Sequence, residues 1–184
     1  MGLEITPATD ADYPIVCNLA RFYLYDMAEH ARWPFPADGL FDAEDQFANY
    51  WGRPGSKFVW PPAWRGFAFL IRVEGHLAGF ALVKRERETP PFFDMGEFFV
   101  ARQYRRLGIG RRAATELFDR FPGNWEVRQM PTNKPAQVFW RRIIADYTGG
   151  DFAESCEGFA TYDNREFVVQ RFQTGVRGRR ALGS

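Results

Sequence analysis

The chain has 184 residues, 46% hydrophobic and 26% charged, with 24 Lys plus Arg against 23 Asp plus Glu. That is the size and composition of one soluble domain with a substantial core, and a net charge of +1 excludes a general affinity for polyanions. Two histidines, His30 and His76, and two distant cysteines, Cys17 and Cys156, match no metal or redox spacing, so no metal is expected.

Leu3-Glu4-Ile5 predicts a short first strand. Thr9 or Asp10 caps a helix that tolerates Pro14 in its first turn. Ile15, Val16, Leu19, Phe22, Tyr23 and Met27 recur at helical spacing as its buried face, with Cys17 as a small core residue. Residues 32–62 are irregular and proline-rich, with a short helix expected around 42–51. Strands at 66–72 and 77–84 form a hairpin about Val73-Glu74-Gly75-His76, and Gly79 marks a bulge or a close backbone approach. A central strand is expected at 94–101. The helix after it carries Ile109, Ala113, Leu117 and Phe121 on one stripe, beside Ala114 and Phe118, and ends at Pro122-Gly123. A strand at 125–130 follows. Thr132 or Asn133 then caps a helix with Ala136, Phe139, Trp140, Ile143 and Ile144 on its apolar face. Late strands are expected at 151–154 and 165–172, and a flexible basic tail at 175–184. The order reads as one domain, 1–174, of mixed α/β build around one twisted sheet. No apolar stretch approaches the ~20 residues needed to span a bilayer. The first residues lack the charged-then-apolar order of a signal peptide, so a cytoplasmic place without membrane partners is expected.

Arg105-Arg106-Leu107-Gly108-Ile109-Gly110 lies between the central strand and its helix. Two glycines let backbone N–H groups turn inward, and the helix start adds unpaired N–H groups and the positive end of its dipole. Such a turn holds a phosphate or pyrophosphate, and Arg105, Arg106, Arg111 and Arg112 surround it with positive charge.

This order, with the motif at this place, resembles the GNAT superfamily of acyl-CoA-dependent N-acyltransferases. Arg105-x-x-Gly108-x-Gly110 matches its pyrophosphate loop, Phe98-Phe99-Val100 occupies the preceding strand, and Asn133-x-x-Ala136-x-x-Phe139 looks like its second cofactor segment. The resemblance implies a strongly twisted mixed sheet of about six to seven strands flanked by helices. It implies acetyl-CoA as cosubstrate, direct transfer through a tetrahedral intermediate, and a small-molecule amine as acceptor, with a homodimer allowed. By the same carry-over, main-chain groups of Phe98, Phe99 and Val100 bind the pantetheine arm. Amides of Arg105, Arg106, Leu107, Gly108, Ile109, Gly110 and Arg111 hold the pyrophosphate. Asn133 reaches the arm from the other side, and Phe139 packs near it. A backbone N–H near Val100 serves the oxyanion.

Acyl transfer to an amine needs a base, because an alkylamine near the lysine reference pKa is protonated at neutral pH. Glu97 is the first candidate, since it precedes Phe98 on the central strand and related polyamine-acetylating members carry an acidic residue there. Glu126 on the following strand is the alternative, although its distance to Asn133 is two residues longer than the family leads one to expect. The tyrosine that usually protonates the leaving thiolate is replaced by Trp140, whose indole only donates. Tyr147 or solvent would then serve, or the chain is a non-catalytic acyl-CoA-binding sensor or interaction protein. Tyr25, Asp26, Glu29, Trp33, Phe35, Asp38, Asp42, Trp51 and Trp60 suit a cationic acceptor.

Gly108-x-Gly110-x-x-Ala113 with Glu126 also fits a dinucleotide fingerprint. That fingerprint should follow its strand almost at once, and residues 101–107 intervene. The near-neutral charge and the lack of a reading motif argue against nucleic acid as partner.

Overall fold

The computed structural model describes residues 1–54, 60–86, 91–159 and 164–175. Beyond Gly175 the expected basic tail lies outside the described residues. In chain order the elements are β1 (Leu3–Pro7), α1 (Tyr13–Ala31), α2 (Glu44–Phe47), β2 (Arg65–Val73), β3 (His76–Glu86) and β4 (Phe92–Val100). Then come α3 (Ile109–Arg120), β5 (Asn124–Gln129), α4 (Lys134–Thr148), β6 (Ala153–Phe159) and β7 (Arg165–Gln173). One seven-stranded sheet runs β1-β2-β3-β4-β5-β7-β6. Neighbouring strands are antiparallel except β4 and β5, which run parallel. This is the mixed α/β sheet flanked by helices that the sequence predicts.

Alternation along each strand divides the core between two faces. On β2, Phe69 and Ile71 join Phe118, Trp125 and Ile144 under α3 and α4. Ala68 and Leu70 face the other way, toward Val16, Cys17, Ala20 and Leu24 of α1. Burying each such side chain is worth roughly 1.5–3 kcal/mol, so the two layers hold both helix pairs to the sheet.

Thr9 and Asp12 cap the turn that leads into α1, with Thr9 N and Oγ1 both donating to Asp12 Oδ2 at 2.8 Å. The helix ends where Arg32 takes a left-handed φ of 54°. Phe22 departs from expectation. It is 65% exposed, because two residues from Ala20 is about 200° around a helix, away from the stripe of Val16, Ala20 and Leu24.

Gly79 combines both roles foreseen for it. A Cβ there would lie 2.0 Å from the Phe99 carbonyl oxygen, and the β2–β3 register slips beside it, between Ile71 and Arg72. A second slip, between Leu82 and Val83, leaves Gly96 of β4 unpaired. The strand expected at 151–154 lies instead at Ala153–Phe159. It is an edge strand of mostly exposed residues, so pairing with β7 rather than apolar alternation defines it.

Candidate active site

After Val100 a tight turn over Arg102–Tyr104 leads to an extended Arg105. Arg106 and Gly108 then take left-handed φ values of 63° and 77° before α3 begins. Ile109, 1% exposed, pins the helix start to the core. The Arg105 amide, expected to join the anion site, is instead taken by Arg102 O at 3.1 Å, whereas among the described residues the backbone amides of 106–111 donate to no acceptor and the first helical bond here runs from Arg112 N to Gly108 O. Nothing lies within 4 Å of a Cβ built on Gly108, so the turn is open where the amides converge. A Cβ on Gly110 would lie 3.0 Å from Phe139 Cζ, which explains that second glycine by packing.

Most of the surrounding arginines do not serve this turn. Arg105 donates from Nε to Val100 O at 2.7 Å and from NH2 to Asp26 Oδ2 at 2.5 Å, while Arg102 takes Asp26 Oδ1 at 2.6 Å. The two guanidiniums hold the Asp26 carboxyl below its usual range despite partial burial. Arg112 donates to Met1 O, and Arg111 lies 3.9 Å from Asp146. The Arg106 side chain, without an ion pair among the described residues, and the helix start remain to meet an anion.

β4 and β5 pair only from Phe92↔Asn124 to Asp94↔Glu126, and then part. Ala101 N donates to Ala78 O, and Phe99 O lies against Gly79. By alternation Phe99 therefore directs its main chain to β3, while Phe98 and Val100 face the gap. With Val100 O taken by Arg105, the gap offers the N–H and C=O of Phe98 and the N–H of Val100. This corrects the expectation for Phe99, whose side chain is also core, 5% exposed against Phe80 and Tyr23.

Beside the gap lies a cavity of about 700 Å³ lined by residues from both faces of the sheet. Tyr23, Met27 and Trp33 line it on the α1 side, and Asn133, Ala136 and Trp140 on the α4 side. Glu97 stands in its wall, half-buried, and accepts from Tyr23 Oη at 2.6 Å. Burial pushes its carboxyl up to about 7, against the Tyr23 hydrogen bond and the Lys84 charge. A carboxyl raised in this way takes up a proton near neutral pH more readily than an ordinary one.

Glu126 is placed differently. It is 5% exposed, hydrogen-bonded by Arg171 Nε at 2.7 Å and ion-paired with Arg128 Nε at 3.2 Å, and it does not line the cavity. Burial raises its pKa, but both guanidiniums hold it in place, which removes it as a base. It belongs to a ladder of alternating charge across five strands: Lys84, Asp94, Arg128, Glu126, Arg171 and Glu157. Lys84 Nζ reaches Asp94 Oδ2 at 2.6 Å, and the Lys84 and Arg128 charges together hold the Asp94 carboxyl below its usual range despite deep burial. Sequence reasoning missed this ladder, since its members are ordinary charged residues scattered over five strands.

Asn133 is the N-cap of α4, accepting from Ala136 N at 3.1 Å, and it lines the cavity as well. Phe139 stacks toward Phe98, 6.1 Å between ring centroids. Trp140 is 6% exposed and edge-on to Phe98. Tyr147 lies about 10 Å further along α4, and its hydroxyl donates to Asp119 at 2.7 Å. It does not reach the cavity, so it is no substitute for the missing tyrosine.

Of the residues expected around the acceptor, Trp33 alone lines this cavity among those described. Tyr25, Asp26, Glu29 and Phe35 edge a separate surface hollow of about 300 Å³. Trp51 packs on Tyr13 and Trp60 on Tyr50, while Asp38 and Asp42 accept from Leu40 N and Asp45 N in local turns. No helix among the described residues is long and apolar enough to cross a membrane. No group of three His, Cys, Asp or Glu among them could hold a metal ion.

A sequence profile described as the acetyltransferase (GNAT) family matches residues 24–144. No curated protein sequence matches the chain significantly. Solved structures similar in fold include the ribosomal-protein-S18-alanine N-acetyltransferase of Escherichia coli, at TM-score 0.57 and 14% identity over 97% of this chain and 98% of that one. An acetyltransferase of Thermus thermophilus aligns at TM-score 0.61 and 13% identity, over 94% and 97% of the two chains. Nourseothricin acetyltransferase aligns at TM-score 0.55 and 17% identity, over 95% and 99%.

Proposed function

Because the chain belongs to the GNAT acetyltransferase family, we propose that it moves an acetyl group from acetyl-CoA to the primary amine of a small molecule. The observation that carries this reading is the place of Glu97, in the wall of a cavity that joins the α1 side of the sheet to the α4 side. Open amides at residues 106–111 and the free main-chain groups of Phe98 and Val100 fit a donor with a diphosphate at one end and an extended arm at the other. They hold it along β4, with the Val100 N–H toward the thioester carbonyl.

The acceptor enters beside Tyr23, Met27 and Trp33. Glu97 takes the amine proton as nitrogen bonds to the acyl carbon and the carbon–sulfur bond breaks. A thiol with a reference pKa near 8.5 is a tolerable leaving group without a dedicated acid. Its proton comes back from Glu97 or from solvent, since Trp140 cannot release one and Tyr147 is elsewhere.

Two neighbours bear names that point to different acceptors, a ribosomal protein's alanine and the small molecule nourseothricin. Calorimetry with acetyl-CoA, followed by thiol release on a panel of small primary amines and a peptide with N-terminal alanine, tests the reading. Binding plus release with the small amines is the expected result. Release with the peptide alone overturns the acceptor class, and binding without any turnover turns the reading to the sensor.

A further inference from the structure

Asp26 of α1 gives both carboxylate oxygens to arginines beyond the end of β4. Oδ1 accepts from Arg102 NH2 at 2.6 Å, and Oδ2 from Arg105 NH2 at 2.5 Å. The Arg105 fork turns another edge inward, where Nε donates to Val100 O at 2.7 Å and the guanidinium carbon lies 5.8 Å from the centre of the Phe99 ring. The side chain of Asp26 is 21% exposed and that of Arg105 41%. Ion pairs at such exposure add little to stability, so what these contacts fix is a geometry.

The place they fix is the end of the donor strand. Ala101 N donates to Ala78 O, so the peptide after Val100 is held at both ends, by β3 and by Arg105. In an extended residue the N–H and the C=O point to the same side. Left uncapped, the Val100 carbonyl would set its lone pairs beside the N–H that faces the thioester carbonyl in the reading above. Negative charge growing on the acyl oxygen would then meet a negative neighbour. The Arg105 guanidinium engages those lone pairs and sets a positive charge behind them. On α1, Asp26 stands three positions after Tyr23, so the two side chains are neighbours on the helix surface. They reach β4 on either side of Phe98, Tyr23 at Glu97 and Asp26 through Arg105 at Val100.

We propose that Asp26 is a positioning residue for acyl transfer: it holds the Arg105 guanidinium on the Val100 carbonyl and so keeps the Val100 N–H effective toward the oxyanion. This deepens the acetyl-transfer reading and rests on it. Neither Asp26 nor Arg105 lines the cavity, so Asp26 acts through Arg105 and not on a reactant. The charge that the pair serves exists only in the transition state, so the rate of the chemical step depends on it and the affinity for either reactant does not.

The test compares Asp26→Asn, Arg105→Met, the double variant and Arg102→Met in the full chain. Single-turnover rate at saturating acetyl-CoA and amine, calorimetric Kd for acetyl-CoA, acceptor KM and Tm are measured. Expected is a rate about tenfold lower in Asp26→Asn and in Arg105→Met, with no further loss in the double variant. Arg102→Met keeps the original rate, and Kd, KM and Tm stay close to those of the unaltered protein throughout. An unchanged rate in Asp26→Asn overturns the proposal. So do losses that add in the double variant, or a loss in Arg102→Met as large as that in Arg105→Met. A fall in rate matched by weaker binding of either reactant or by a lower Tm marks a structural role and overturns it too. An unaltered protein that binds no acetyl-CoA or turns over no amine overturns the acetyl-transfer reading itself, a result separable from all of these.

Discussion

Asp94 and Glu97 point from the same face of the sheet although they stand three positions apart on β4, because Gly96 is bulged out of the ladder with β3. Without the bulge, strand alternation would send one of them into the α3–α4 core. Gly96 is required there, since a Cβ would lie 1.9 Å from Tyr50 Oη. The two carboxyls then diverge. Asp94, clamped by Lys84 and Arg128, stays ionised, and its charge joins burial in raising Glu97. Neighbouring titratable groups held apart in this way are a recurrent arrangement for acid–base chemistry.

The first expectation concerns the rate against pH. If Glu97 is the base, kcat/KM rises with pH through an inflection near 7. Glu97→Gln removes that inflection and lowers kcat/KM by about 10²–10⁴-fold, while calorimetric affinity for acetyl-CoA holds. Steady-state profiles of both proteins decide it, and full activity of the variant would exclude Glu97.

Tyr23→Phe removes the hydroxyl that donates to Glu97 and lowers its pKa. The inflection moves to higher pH, by about one unit for a hydrogen bond to a charged group. An unmoved or lowered inflection contradicts the assignment.

Stability carries the opposite dependence. A carboxyl whose pKa is higher folded than unfolded binds protons better in the folded state, so its contribution is fully present below about pH 4.5 and is lost as pH rises to about 7. Urea unfolding at these two pH values should show the protein losing about 1–3 kcal/mol relative to Glu97→Gln across that window. A difference that stays flat with pH would mean that Glu97 titrates normally.

Asp94→Asn leaves Lys84 and Arg128 buried beside a neutral group. Breaking a buried pair in this way destabilises by about 3–5 kcal/mol. A chemical-denaturation midpoint close to that of the unaltered protein would show the ladder to be dispensable.

Gly108→Trp is expected to abolish acetyl-CoA binding with the fold largely retained. Its Cβ would point into open space, and the left-handed backbone at φ 77° adds strain of roughly 1–2 kcal/mol. Circular dichroism checks the fold and calorimetry the affinity, and unchanged affinity would remove the turn from donor binding.

The loop between β4 and α3 was legible in the sequence because its information is local. Two glycines, an apolar strand before and an amphipathic helix after lie within one continuous stretch. The same holds for α4 and its cap at Asn133. What the sequence hid depends on pairing between distant segments. A bulge changes the face of every residue beyond it, and nothing in Asp94-Met95-Gly96-Glu97 says which residue β3 will skip. Asp26, offered as an acceptor residue, binds arginines 76 and 79 positions away. Arg105 and Glu126 were likewise drawn from the expected site by ion pairs made only on folding. The described aromatics between 33 and 60 divided between core and surface for the same reason, because composition does not specify direction.

A cavity lined from both faces of the sheet also bears on the order of events proposed above. Donor and acceptor approaching from opposite sides need not take turns at one doorway, and no acyl group has to be parked on the protein between visits. Initial-rate lines at varied concentrations of both should therefore intersect rather than run parallel, the signature of a ternary complex.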